Sequence, residues 1–143
     1  MREMNVLRPV DRHGEHSMVV EFIATETGTE DDVYFITTGV ARSDPSHYLM
    51  FSRSLPIGGD EDWGVHFEFD DQINSGHEKI RTCSLSPDRL RVELIEPIGR
   101  AKQYTAFDVV LRLSESDLNS LAIGLRRVFA GHEEMLSISD VVP

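Results

Sequence analysis

The sequence predicts a single α+β domain: a mainly antiparallel β-sheet of about seven short strands, with one C-terminal amphipathic helix packed on it. Three observations carry that expectation. Between Ser17 and Leu113 apolar residues recur with the period of two that half-buried strands need, in runs broken by turn-forming Pro, Gly and Asp. From Leu118 to Phe129 the period becomes that of a helix, and strands followed by a helix is the α+β order. The length, 143 residues, suits one domain with one core.

Residues 1–16 mix charges, His, Gly and Pro without periodicity and are expected to form an irregular arm or an irregular edge segment. SMVVEFIA then puts Met18, Val20 and Phe22 on one side; TETGTEDD is read as a polar turn, and VYFITT as the returning strand of a hairpin. In HYLMFSRSL, Tyr48, Leu49, Met50 and Phe51 are apolar on both faces, as in a central strand covered on both sides. The N-terminal strands or a second chain are the sources of that second cover, so a homodimer stays open. WGVHFEFD alternates, with Val65, Phe67 and Phe69 inward and His66, Glu68 and Asp70 outward.

KIRTCSL and RLRVELI flank SPDR, whose Pro and Asp favour a tight turn. Closing it sets Leu85 opposite Leu90, Cys83 opposite Val92, Ser84 beside Arg91 and Thr82 beside Glu93, and leaves Arg81 as a misfit opposite Leu94. YTAFDVVLRL supplies the last strand, through Phe107, Val109, Leu111 and Leu113. Ser114 with Asp117 three residues on resembles a capping box, so a helix begins there. Its stripe is Leu118, Leu121, Ala122, Leu125, Val128 and Phe129; Gly131 stops it, and 132–143 is read as a tail.

Composition excludes several classes. Hydrophobic residues at 40% and charged residues at 27% are the balance of a folded globular chain. A formal net charge of -11 repels nucleic acid and anionic membrane surfaces and attracts basic proteins. Cys83 is the only cysteine, which rules out an internal disulfide and fits a reducing compartment, so a cytoplasmic location is expected. No apolar run is long enough to span a bilayer, and the first sixteen residues are too polar for a secretory signal.

Gly58 to Gln72, GGDEDWGVHFEFDDQ, holds six carboxylates, no Lys or Arg, and the only Trp. An EF-hand loop from Asp60 would need Gly where Val65 stands and ends on Asp71, shorter than the usual Glu. Glu68 and Asp70 share a strand face, but an exposed charged face has the same spacing as a catalytic acid pair. HGEH places His13 and His16 at ligand-like spacing, short of the three or four ligands zinc requires. There is no Gly-x-Ser-x-Gly elbow, Cys83 falls on an inward row, and Gly58-Gly59 lacks the Lys of a phosphate loop. Lys79, Arg81, Arg89 and Arg91 alternate with apolar residues and are expected to pair with neighbouring acids. These patterns offer no catalytic constellation, so no catalytic residue, cofactor or metal is expected.

YLMFSRSL at 48–55, WGVHFEFDDQ at 63–72, LSPDRLRVEL at 85–94 and LRRVF at 125–129 together resemble the immunity protein 10 family of bacterial polymorphic toxin systems. The resemblance spans roughly 48–129 and implies a small cytoplasmic protein that binds and neutralises a toxin encoded beside it, without catalysis. It specifies no binding residue and no particular toxin. Physical argument supplies the surface: an acidic inhibitor accelerates encounter with a basic toxin, such as a nuclease, and imitates its substrate's charge. The candidate protein-binding residues are Asp60, Glu61, Asp62, Glu68, Asp70 and Asp71, with Trp63 as an aromatic anchor or, equally, a residue packed over the sheet edge. The alternative is a cytoplasmic secretion chaperone or other acidic protein-binding module. Such chaperones typically open with an amphipathic helix, for which this N-terminus has no stripe.

Overall fold

The structure, a computed structural model, describes residues 5–12, 15–42, 46–140 and 142. Among these residues there are eleven strands: β1 (Asn5–Arg12), β2 (Glu15–Ala24), β3 (Glu26–Asp31), β4 (Phe35–Ala41), β5 (Tyr48–Ser54), β6 (His66–Phe69), β7 (Asp71–His77), β8 (Ile80–Ser86), β9 (Arg89–Ile98), β10 (Gln103–Leu111) and β11 (Leu136–Ile138). One α-helix, α1 (Glu115–Val128), follows β10, and a 3₁₀ turn at Glu133–Met135 precedes β11. The chain is thus α+β and mainly antiparallel, with its α-helix near the C-terminus.

The strands outnumber the expected seven and form two sheets. The first has the order β1-β2-β10-β9-β8-β11 and the second β3-β4-β5-β6-β7. These pairings are antiparallel except β2 with β10 and β11 with β8. The expected hairpin of SMVVEFIA with VYFITT does not form, because ETGTED is itself strand β3 and the chain changes sheets at Thr25. The Ala24 carbonyl accepts from Arg112 N in the first sheet, while Thr25 N already donates to the Ala41 carbonyl in the second. Two other expectations are corrected. The opening segment forms edge strand β1 over its described part, and the C-terminal tail supplies edge strand β11.

The hairpin of β8 and β9 has the expected register: Leu85 opposite Leu90, Cys83 opposite Val92, Ser84 opposite Arg91, Thr82 opposite Glu93. Arg81 is where the register slips, so Ile80 takes the place opposite Leu94 and the charged side chain is exposed. A bulge of this kind keeps an apolar row facing the core when one residue too many lies between its members.

The two sheets meet through aromatic rings. Phe67 and Phe69 of β6 lie 5.1 and 5.0 Å from Phe107 of β10, and Phe69 lies 5.0 Å from Tyr104. Ring pairs at this separation add to the area they bury. Helix α1 packs mainly on β3 and β4, on the same inner face of the second sheet. Ser114 caps it, its hydroxyl accepting from Asp117 N at 3.1 Å. Leu118, Leu121, Ala122, Leu125 and Val128 are buried, together with Gly124.

Gly124 marks a very close approach of helix to sheet. A Cβ there would sit 2.6 Å from Thr38 Oγ1 and 2.8 Å from Thr38 Cβ, and Thr38 is fully buried with its hydroxyl 2.9 Å from that of Thr29. Gly124→Ala should gain about 1 kcal/mol of helix propensity and lose about 1–3 kcal/mol to overpacking. Net destabilisation in urea unfolding is the expected outcome; a more stable variant would show that α1 shifts freely on β4.

Candidate functional site

The acidic segment begins where β5 ends, and its conformation is set by Arg53. This side chain is 4% exposed and donates Nε and Nη2 to the two carboxylate oxygens of Asp62, at 2.7 and 2.9 Å. Its Nη1 donates to the carbonyls of Val128 and Ala130, at 2.8 and 2.7 Å, where the last carbonyls of a helix otherwise lack partners. Asp62 also accepts from Gly58 N and Gly64 N, at 2.8 and 3.0 Å. The Arg53 guanidinium, helped by those amides and opposed by burial, holds the Asp62 carboxyl well below the usual carboxylate range. Gly58 and Gly64 have φ of 84° and 85°, which side chains rarely tolerate, so both turns of the loop require glycine.

With Asp62 turned inward, Asp60, Glu61 and Trp63 remain on the surface, and Trp63 is 66% exposed. At the same end of the second sheet is a feature that the sequence pattern does not reveal. At the tip of the β3–β4 hairpin, Val33 and Tyr34 are 78% and 74% exposed. The Tyr34 carbonyl accepts from Leu55 N at 2.8 Å, which ties the tip to the start of the acidic loop. Ile57 on that loop is exposed as well. Val33, Tyr34, Ile57 and Trp63 thus share one end of the second sheet with the carboxylates of Asp32, Asp60 and Glu61. In sequence VYF reads as the opening of a strand; the two aspartates before it are the available sign of a turn, and Asp32 indeed accepts from Tyr34 N.

The remaining candidates lie at the other end of β6, a strand of four residues that spans roughly 13 Å. Glu68 does not face solvent as its place in the alternation suggests. It is only 7% exposed, and its Oε2 accepts the Tyr48 hydroxyl at 2.5 Å. Burial, and next that carboxylate, push the Tyr48 phenol well above its ordinary range. Asp70, at φ 63°, accepts from Tyr48 N at 3.0 Å and lies 2.6 Å from His47 Nδ1. The His47 ring in turn lies 5.3 and 5.7 Å from those of Phe22 and Phe69. Asp71 is exposed and accepts from Ile73 N. Glu68 and Asp70 are therefore both tied to Tyr48, Glu68 through the hydroxyl and Asp70 through the backbone N–H, and Asp70 also holds His47.

At the start of β6, His66 lies against His77 of β7 with ring centroids 4.8 Å apart. Burial, then the neighbouring His77, lower the His66 pKa, against a smaller opposing pull from Glu68. Among the described residues no three His, Cys, Asp or Glu side chains converge as a metal set. His13 of HGEH falls outside those residues. Cys83 is fully buried, which pushes its thiol up to about 12. Arg89 and Arg91 lie 3.5 Å from Asp108, and Lys79 pairs with Glu96, as expected for this basic hairpin. No helix among the described residues is long and apolar enough to cross a membrane. No protein-family model and no curated protein matches the sequence.

Asp62→Asn should destabilise the fold by about 3–5 kcal/mol in urea unfolding, because Arg53 is left as a buried charge without its counterion. A depressed carboxylate stabilises fully above its unfolded value near 3.8 and loses that contribution as pH falls from there through its folded value. The wild type should therefore show an acid-labile component that Asp62→Asn lacks. A depressed imidazole likewise contributes fully above 6.5 and loses its contribution as pH falls below that value. His66→Asn should accordingly flatten the change in urea midpoint between about pH 7 and pH 5; an unchanged slope would place the acid sensitivity elsewhere.

Proposed function

We propose that this protein is a cytoplasmic immunity protein that binds and neutralises a cognate bacterial toxin, without catalysis. The observation that carries the reading is the pinned loop. A 66% exposed Trp63 stands beside exposed Asp60 and Glu61, at the same end of the second sheet as the apolar tip of Val33 and Tyr34, on a loop fixed from beneath by Arg53 and Asp62. Aromatic side chains surrounded by polar groups are the usual anchors of protein interfaces, and exposed apolar residues grouped on one end suit a protein partner better than a solvated surface. The carboxylates select a basic toxin, a nuclease being one such class, by speeding its approach and repelling acidic competitors.

The reading concentrates the interface on Asp60, Glu61 and Trp63. Asp62, Glu68 and Asp70 support it from within, and Asp71 stands at the far end of β6. The described part of the N-terminus opens in strand β1, where the chaperone alternative calls for an amphipathic helix.

Co-expression with the toxin encoded beside this gene tests the proposal. Wild-type protein should restore growth and co-purify with the toxin. Trp63→Ala should cost roughly 2 kcal/mol of binding or more, and the pair Asp60→Lys with Glu61→Lys should slow association and remove its salt dependence. Rescue without a complex, or a complex indifferent to all three substitutions, would overturn the reading.

A further inference from the structure

The outer face of the second sheet carries a trough of about 410 Å3, open to solvent. Its floor is bare. Gly28 of β3 and Gly39 of β4 are paired in register, and Ala41 continues the row. Glu26 and Glu30, on edge strand β3, form one wall; Tyr48 and Met50 of β5 form the other.

The two glycines are there for different reasons. A Cβ on Gly39 would lie 2.2 Å from the Leu49 carbonyl oxygen, so packing of β4 on β5 forbids any side chain. At Gly28 a Cβ would meet nothing within 4 Å. No steric need of the fold explains that glycine, although glycine inside a strand costs about 0.5–1 kcal/mol relative to alanine. Glycine at such a position often marks the close approach of another molecule.

We propose that the trough receives an arginine or lysine side chain from a basic protein partner. The aliphatic stem would lie over Gly28 and Gly39 against Met50 and the Tyr48 ring, and the cationic head would meet Glu26 and Glu30. No strand position on this face of β3 to β6 is Lys or Arg, so no basic side chain of those strands competes for the two carboxylates. A second copy of the chain is a poor occupant, since each copy carries a formal charge of -11. The inference rests on the toxin-neutralising reading for the identity of the partner, but not for the chemistry of the slot.

The test is a titration of the isotope-labelled full chain with the peptide acetyl-Gly-Arg-Gly-amide, followed by amide resonances, alongside the same peptide with neutral citrulline for arginine. The arginine peptide should shift Gly28, Gly39 and Ala41, and the citrulline peptide should not. Gly28→Val fills open space with a residue that favours strands, so it should leave folding intact and weaken the peptide about tenfold. Glu26→Gln with Glu30→Gln should do the same. Equal shifts from citrulline, shifts centred on Asp60 and Glu61, or a Gly28→Val protein that binds as before would each overturn the proposal. Because no toxin is present, a wild-type protein that fails to rescue growth would sink the neutralising reading and leave this result standing.

Discussion

Arg53 holds three parts of the molecule in one arrangement. Its guanidinium lies under the acidic loop, grips Asp62 with two donors, and gives a third to the carbonyls at the end of α1. A buried charge is costly unless its donors find acceptors. Here that requirement positions strand, loop and helix end together. The loop cannot swing away without stranding the guanidinium, and the helix cannot shift without abandoning two hydrogen bonds. Trp63 is displayed between Asp62 and Gly64, and the Gly64 amide is itself held by the Asp62 carboxylate.

Preorganisation of this kind matters for binding. A flexible acidic loop would lose side-chain and backbone freedom on docking, and that loss subtracts from affinity. When the loop is already fixed by internal hydrogen bonds, the exposed residues would meet any partner in the arrangement they hold in the free protein. The tie from Tyr34 to Leu55 extends the same effect to the hairpin tip.

Local pattern reveals those parts of the fold in which neighbouring residues decide the outcome. Ser114 and Asp117 announce the helix start, and the alternation through Val65, Phe67 and Phe69 announces β6. Even the misfit of Arg81 is visible, and the bulge is its resolution. What stays hidden depends on partners far away in sequence. ETGTED has turn-forming composition, yet it becomes β3 because β4 and α1 lie alongside it. Asp62 reads as one more surface acid; only the approach of Arg53, and of the end of α1 that lies 75 residues beyond Arg53, turns it inward. The apolar outer positions Tyr48 and Met50 suggest a second covering layer. They are half-buried instead, as the wall of a trough and, through the Tyr48 hydroxyl, as the cover of Glu68.

The charge excess is distributed unevenly, and this decides which side of the protein a basic partner meets. Strands β8 to β10 carry Arg81, Arg89 and Arg91 against Glu93, Glu96 and Asp108, with Asp108 close to two of the arginines. Their charges cancel at short range. In β3 to β7 the only Lys or Arg is Arg53, which is buried and neutralised by Asp62, while Glu26, Glu30, Asp31, Glu68 and Asp71 lie on the same strands. Of these, Asp31 is paired with Arg127 from the helix. The negative field therefore leaves the molecule from the second sheet and its loops, and a cationic protein would be drawn toward the end that holds Trp63 and the glycine-floored trough along the edge.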